Sequence, residues 1–125
     1  MKTIESQFAP QPVGAYSQAI ESGNLVFLSG QIGIDREIGK LVEGDIEAQT
    51  KQVFKNIQYV LEEAGLSLAN VVKVTVLLAD INDFQAMNTI YAEAFAGLYP
   101  ARSAFSVAGL PLGAKVEIEV IAERA

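Results

Sequence analysis

The hydrophobic period of the chain changes twice between positions 46 and 97, and this alternation constrains the fold more than any other feature. Apolar residues recur every three or four positions over 46–64, which predicts an amphipathic helix that stops at Gly65. Val71–Leu78 is then dense in β-branched residues and predicts a strand. The helical period returns over Phe84–Phe95 and ends at Gly97. A chain with this order must pack helices against strands.

Strand patterns flank this central region on both sides. On the N-terminal side we expect a short strand over 3–5 and a hairpin over 19–21 and 25–29, while turn glycines make 32–43 a loop. On the C-terminal side, 103–107 and 115–122 predict a second hairpin. No linker or repeat interrupts the order. We therefore predict one α+β domain over residues 1–125, a single sheet with two helices packed on one face.

Strict alternation in the long strands assigns side chains to faces. Val72 is expected to face the same way as the other even-numbered valines of its strand. In the last strand Glu117, Glu119 and Glu123 share a face, and because three carboxylates repel one another the default expectation is a solvated face. Arg102 lies on the strand predicted to pair with this one, and it is the cation that could form an ion pair with one of these glutamates.

Cysteine and histidine are both absent from the 125 residues. Thiol nucleophiles, disulfides, thiolate or imidazole metal sites and histidine acid–base pairs are thereby excluded. A carboxylate site for Mg²⁺ or Ca²⁺ stays open in principle, but the acidic residues between positions 35 and 47 do not follow EF-hand spacing. The net charge of −6 does not favour a nucleic-acid partner. We expect neither a metal nor a cofactor.

The chain is rich in apolar residues for its length. Hydrophobic residues make up 50% and charged residues 19%, yet no apolar run approaches the ~20 residues of a membrane span. The first ten residues include Glu5 and Gln7 where a signal peptide needs an apolar stretch. We therefore expect a cytoplasmic protein that buries its excess apolar surface between subunits.

Arg102 is the first candidate for a binding residue, because it is the only charged residue between Glu93 and Lys115. Its neighbours are proline, alanine and phenylalanine, which predicts a half-desolvated guanidinium able to grip a carboxylate at two points. The alternative is a structural ion pair with an acidic residue of the same chain or a neighbour. The residues leave these two interpretations equally open.

A second candidate region runs from Ser6 to Ile34 with Glu21 as its only charge. Ser29, Gly30 and the following Gln31 end an apolar strand, where a hydroxyl, an amide and bare backbone can meet a polar ligand. The plainer interpretation is that Gly30 is a strand end or bulge and that Tyr16 is a core aromatic residue. Asn88, in the middle of the second helix, is by default a surface residue.

These residues together resemble the reactive intermediate deaminase (RidA-like) family over essentially the whole chain. The segments that carry the resemblance are Gly14-Ala15-Tyr16-Ser17-Gln18-Ala19, Leu28-Ser29-Gly30-Gln31-Ile32, Pro100-Ala101-Arg102-Ser103 and Val116-Glu117-Ile118-Glu119. The resemblance implies a chorismate-mutase-like α+β subunit and a homotrimer with its helices outside and three sites between subunits. It also implies hydrolysis of enamines and imines, such as 2-aminoacrylate and related 2-imino acids, to 2-oxo acids and ammonia without a metal or cofactor. That activity is the one of a 2-iminobutanoate/2-iminopropanoate deaminase.

The resemblance also assigns roles to particular residues. Arg102 would grip the substrate carboxylate and Glu117 would position the attacking water. The pocket would be lined by Tyr16, Ser29 and Asn88, with backbone near Gly30 and Ile32. Two positions depart from the family pattern: Ala15 stands where many active members have proline, and Ala104, beside the substrate position, where they have cysteine. The substrate side chain that this site prefers is therefore open.

Three other functions compete with this one. A trimeric protein that binds small carboxylate metabolites without turning them over would use the same clefts. A ribonuclease or translation inhibitor, a label that some relatives carry, is disfavoured because the chain is acidic and lacks histidine. Chorismate mutase activity would rest on likeness of fold alone.

Overall fold

Two amphipathic helices form where the apolar stripes predict them, in a computed structural model that describes residues 1–125. Helix α1 spans Ile46–Glu63, and the carboxylate of its N-cap, Asp45, accepts a hydrogen bond from the backbone N–H of Glu47. Helix α2 spans Phe84–Phe95 and ends at Ala96, which has a left-handed φ of 53°. Neither helix combines the length and apolar character needed to cross a membrane.

The strands form one six-stranded sheet and a separate short hairpin. Their bounds are Lys2–Ile4 (β1), Ala19–Ser22 (β2), Leu25–Leu28 (β3), Ile34–Asp35 (β4), Lys40–Leu41 (β5), Val71–Leu78 (β6), Ala101–Ser106 (β7) and Val116–Glu123 (β8). The large sheet has the order β1-β2-β3-β8-β6-β7, and all its pairs are antiparallel except the parallel pair β6–β7. The small hairpin β4–β5 occupies the segment predicted to be a loop. The α+β class is confirmed, with a sheet of mixed direction.

The predicted C-terminal hairpin is wrong. Strand β7 lies parallel to β6 at the edge of the sheet, and β8 lies on the other side of β6. The connection between β7 and β8 crosses the end of β6, where Val107 donates its backbone N–H to Leu78 O and Ala79 donates to Lys115 O. A nine-residue connection (107–115) reaches easily across the ~10 Å of two strand spacings, so proximity in sequence did not determine pairing. Arg102 therefore has no place beside Glu117.

The expected position of Val72 is also wrong. The register between β6 and β8 shifts between Val71 and Lys73, which is the mark of a β-bulge. The extra residue turns Val72 outward, and it is exposed, whereas Val71 and Val74 are buried. The alternation expected for β8 is confirmed, because its even-numbered residues are buried and its glutamates face the other side.

The hydrophobic core lies between the helices and one face of the sheet. It is a single cluster of 25 buried residues that includes the inward positions of β6 and β8 and the apolar stripes of both helices. The opposite face, which we call the open face, carries no helix. It presents aromatic and aliphatic side chains around a few polar ones: Ile20, Phe27, Lys73, Thr75, Leu77, Phe105, Glu119 and Ile121.

Candidate functional site

The candidate site residues lie in two separate hollows of the chain surface. The first, which we call the glutamate hollow, has a volume of about 520 Å³. Five of the residues singled out from the sequence line it: Tyr16, Ser29, Gly30, Ile32 and Glu117. The second, the arginine hollow, has a volume of about 450 Å³ and contains Asn88 and Arg102. The structure thus brings the predicted residues together in two groups.

Glu117 is held against Gly30 at the floor of the glutamate hollow. Gln31 and Ile118 exchange two backbone hydrogen bonds of 2.9 and 3.0 Å in an antiparallel bridge, so Gly30 and Glu117 are diagonal neighbours across it. A Cβ atom on Gly30 would stand 2.8 Å from Glu117 Cδ and closer still to its Oε2. Gly30 has no left-handed φ, so the position requires glycine for space and not for backbone conformation.

The electrostatic surroundings of Glu117 favour its protonated form. Burial raises the pKa of its carboxyl group above the usual range, and the nearby charge of Glu119 raises it further. No cation of the same chain offsets these effects, because the only ion pair within 4 Å joins Arg124 to Glu21. A carboxylate with a raised pKa in a hollow is suited to take a proton from water near neutral pH.

The wall of the glutamate hollow is built by the segment that precedes β2. Ser29 Oγ donates a 2.6 Å hydrogen bond to Ser17 O, which joins the end of β3 to the residue after Tyr16. Gln18, whose role sequence reasoning missed, is buried and holds the N-terminal arm through Ser6 and Pro10. A long amide in an otherwise uncharged segment was the signal for it. The Tyr16 ring remains 51% exposed, which contradicts the alternative of a core aromatic residue.

Arg102 stands at the mouth of the arginine hollow with its guanidinium oriented by helix α2. Its Nη1 donates a 2.6 Å hydrogen bond to Asn88 Oδ1, and its Cζ lies 4.6 Å from the centre of the Tyr91 ring and 5.4 Å from that of Phe84. The predicted half-desolvation is wrong for the single chain, since Arg102 is exposed on an edge strand. No carboxylate of the chain pairs with it, so an ion pair within the chain is excluded. Asn88 is more than a surface residue because it contacts this arginine.

The two hollows lie on opposite faces of the sheet. Arg102 is in register with Val74, whose side chain points into the core beneath the helices. Glu117 is in register with Leu77 and points to the open face. Ala104 is in register with buried Val76 and lies on the same side as Arg102. One chain therefore cannot bring Arg102 and Glu117 to a single ligand.

Metal ligation finds no support in the arrangement of the side chains. Nowhere does the chain gather three or more aspartate or glutamate side chains into a group that could hold an ion. The acidic residues between positions 35 and 47 form no such group either. The polar groups that line the two hollows are therefore arginine, carboxylate, hydroxyl, amide and backbone groups.

Replacing Gly30 with alanine is expected to move the Glu117 carboxylate. The new methyl group meets the flexible end of the glutamate side chain, so this carboxylate gives way and turns toward solvent. Its pKa should then fall toward the ordinary value, which a carboxyl ¹³C NMR titration measures. Gly109→Ala is the matched control because a methyl group there meets nothing within 4 Å. An unchanged Glu117 titration in Gly30→Ala would show that the carboxylate does not rest on Gly30.

Comparison with known proteins identifies the family. The family model described as endoribonuclease L-PSP matches residues 6–124. A RutC family protein of Pyrococcus abyssi is 53% identical over 97% of this chain and 95% of its own length. The 2-iminobutanoate/2-iminopropanoate deaminase of Rattus norvegicus is 50% identical over 97% of this chain and 88% of its own. The structure of E. coli TdcF with bound serine superposes with a TM-score of 0.95 at 38% identity, covering 100% of both chains.

These matches define a small α+β class of proteins that contains both deaminases and relatives with other names. The chain belongs to the L-PSP family, and the RidA-like membership that its motifs predicted is confirmed.

Proposed function

We propose that the protein hydrolyses reactive enamines and imines, such as 2-aminoacrylate and related 2-imino acids, to 2-oxo acids and ammonia. The observation that carries this proposal is the pair of complementary hollows, one with an unpaired guanidinium and one with a carboxylate of raised pKa. Relatives about 50% identical are named for this activity, and a structural relative holds serine, an amino acid with the carboxylate that Arg102 would bind. The specific activity proposed is that of a 2-iminobutanoate/2-iminopropanoate deaminase.

The chemistry needs only groups that the chain supplies. Arg102 holds the substrate carboxylate with its guanidinium fork, and Glu117 takes a proton from a water molecule whose oxygen bonds to the imine carbon. The electron pair of the C=N bond moves to nitrogen, which takes the proton held by Glu117 to give a tetrahedral carbinolamine. Glu117 then accepts the proton of the carbinolamine hydroxyl group as the carbonyl group forms and the C–N bond breaks, and it passes that proton to the departing nitrogen, which leaves as ammonia. Because imines hydrolyse readily in water, correct placement of these groups suffices.

A shared site between subunits is part of this proposal, since Arg102 of one chain can meet Glu117 only across an interface. Both hollows are bordered by apolar side chains that a single chain leaves in water. Val13 and Leu112 beside the glutamate hollow are 93% and 73% exposed, and Tyr99 in the arginine hollow is 61% exposed. The open face of the sheet adds Phe27 and Phe105, which are 41% and 48% exposed. Such surfaces favour burial against further copies of the chain.

We expect the protein to form a homotrimer at micromolar concentration. The open faces of three sheets would form a central core with the helices outside, and each interface would join one arginine hollow to one glutamate hollow. Multi-angle light scattering should give a mass close to three times 13.4 kDa. A stable monomer would contradict both the assembly and the shared site.

A competition assay tests the activity. An amino-acid oxidase generates a 2-imino acid in solution, semicarbazide traps it, and added protein should lower the yield of trapped imine while 2-oxo acid and ammonia accumulate. Activity is expected to persist in EDTA, because the proposed chemistry uses no metal. Restoration of lost activity by Mg²⁺ or Zn²⁺ after chelation would contradict this mechanism.

The same assay separates the proposed enzyme from a carboxylate-binding protein. Such a protein would bind a 2-oxo acid in an Arg102-dependent way yet leave the trapping yield unchanged. Nuclease activity is less well supported, although the matching family model is described as an endoribonuclease, since the chain carries 9 basic against 15 acidic residues and phosphate binding requires a basic surface.

A further inference from the structure

Three residues of α2 contact the Arg102 guanidinium. One accepts a hydrogen bond from it, and the other two place aromatic rings beside it. Phe84, Asn88 and Tyr91 stand at positions i, i+4 and i+7, so they share one face of the helix. The Tyr91 and Phe84 rings lie 4.6 and 5.4 Å from Arg102 Cζ, within the range of cation–π attraction. Asn88 accepts the hydrogen bond from Nη1 between them along the helix.

We propose that Tyr91 and Phe84 form an aromatic platform that fixes the plane of the Arg102 guanidinium for two-point binding of the substrate carboxylate. The proposal rests on the carboxylate-binding role of Arg102 described above and identifies the two aromatic residues as positioning residues. Asn88 occupies one N–H of Nη1, so the remaining N–H groups of the guanidinium are those available to a carboxylate.

The platform matters because Arg102 stands on an exposed edge strand, where only the hydrogen bond to Asn88 otherwise orients its guanidinium. An arginine side chain with no carboxylate partner samples many rotamers, and this freedom is lost when a ligand binds. A guanidinium already held against two rings loses less freedom on binding. The expected effect is therefore on substrate affinity and on KM, with little change in kcat, because the carboxylate is bound equally in the ground and transition states.

The aromatic ring of Tyr91 carries this role, and its hydroxyl group does not. Tyr91 is 4% exposed, and its buried hydroxyl has no hydrogen-bond partner. The ring is itself held by Phe95 and Phe54, whose centroids lie 4.8 and 5.9 Å away. The platform is thus the outer side of the aromatic core. Its position is set by packing and not by ligand contact.

Calorimetric titration with pyruvate, the 2-oxo acid product, tests the platform. Tyr91→Leu and Phe84→Leu are each expected to weaken binding by about threefold to thirtyfold, and Tyr91→Phe should recover the affinity because it restores the ring. Tyr59→Leu is the matched control, since it removes a partly buried ring of α1 that pairs with Phe8 and contacts neither Arg102 nor the two platform rings. It should lower thermal stability while changing the pyruvate affinity less than twofold. Phe84 is less buried than Tyr91, so Phe84→Leu keeps the test open if Tyr91→Leu fails to fold.

A double-mutant cycle shows whether the rings act through Arg102. In an Arg102→Ala background, Phe84→Leu and Tyr91→Leu should change kcat/KM less than twofold. Losses as large as those in the parent background, or equal losses in Tyr59→Leu, would overturn the platform. Pyruvate binding that survives Arg102→Ala is a separate result, because it would remove the carboxylate site of the proposed function and the platform with it. Arg102-dependent binding without coupling to the rings would overturn the platform alone.

Discussion

Arg102→Lys is expected to lower kcat/KM for 2-imino acids by roughly tenfold to a hundredfold, and Arg102→Ala by more. Lysine keeps the charge but loses the planar fork that matches a carboxylate, and alanine loses both. A hydrogen bond to a charged group contributes about 1.5 to 3 kcal/mol, which sets this scale. Steady-state rates from the semicarbazide competition assay measure the loss.

The structure predicts that this loss comes without unfolding. Arg102 is exposed and has no carboxylate partner in its chain, so circular dichroism and the mass measured by light scattering should stay close to those of the parent protein. Arg124→Ala is the matched control, because Arg124 makes a 2.7 Å ion pair with Glu21 away from both hollows. That variant should leave turnover unchanged. If Arg102→Ala deaminates imino acids as fast as the parent, the arginine is structural and the proposed site is wrong.

Glu117→Gln is expected to reduce kcat by about 10²- to 10⁴-fold while largely retaining affinity for a 2-oxo acid. Glutamine preserves the shape of the side chain but cannot accept a proton from the attacking water, and general base catalysis contributes factors of this size. Rapid single-turnover measurements, together with a pyruvate titration, separate the two effects. Equal losses of kcat and pyruvate affinity would place Glu117 in ligand binding instead.

The pH dependence of activity should carry the signature of this carboxyl group. Its pKa is raised, so the catalytic carboxylate is lost as the pH falls through a value above the ordinary ~4.3 of glutamate, and the acid limb of kcat should lie above that pH. Glu119→Gln removes the neighbouring charge that adds to the rise and should move the limb to lower pH. An acid limb at the ordinary glutamate value in both proteins would contradict the role of Glu117.

The Glu117 carboxyl group also makes the stability of the folded protein depend on pH. Low pH favours stability, whereas it lowers activity. A carboxyl group whose pKa is raised by folding favours the folded state below its unfolded pKa, and this contribution disappears as the pH rises through the folded value. At pH values above its folded pKa the ionised, partly buried Glu117 therefore destabilises the folded state. Glu117→Gln should unfold at the same or a higher temperature than the parent, although it is far less active.

Local patterns in the sequence determined the helices, most strands and the membership of the site. The apolar stripes of α1 and α2 repeat at the helical period and end at residues with left-handed backbone, so neighbouring residues contain the whole signal. The alternation of β8 likewise marks its two faces. The motifs around Tyr16, Gly30, Arg102 and Glu117 identified the family and the residues that line both hollows.

Only the tertiary structure decided how these residues are placed in relation to one another. Strand pairing joins positions far apart in the chain, so β7 could pair with β6 instead of β8, and no local pattern distinguishes the two. That choice puts Arg102 and Glu117 on opposite faces of the sheet. The need for glycine at position 30 likewise comes from Glu117, 87 positions away in the chain, whose carboxylate fills the space where a side chain would stand. Close contacts of this kind depend on packing in three dimensions, which periodicity along the chain does not encode.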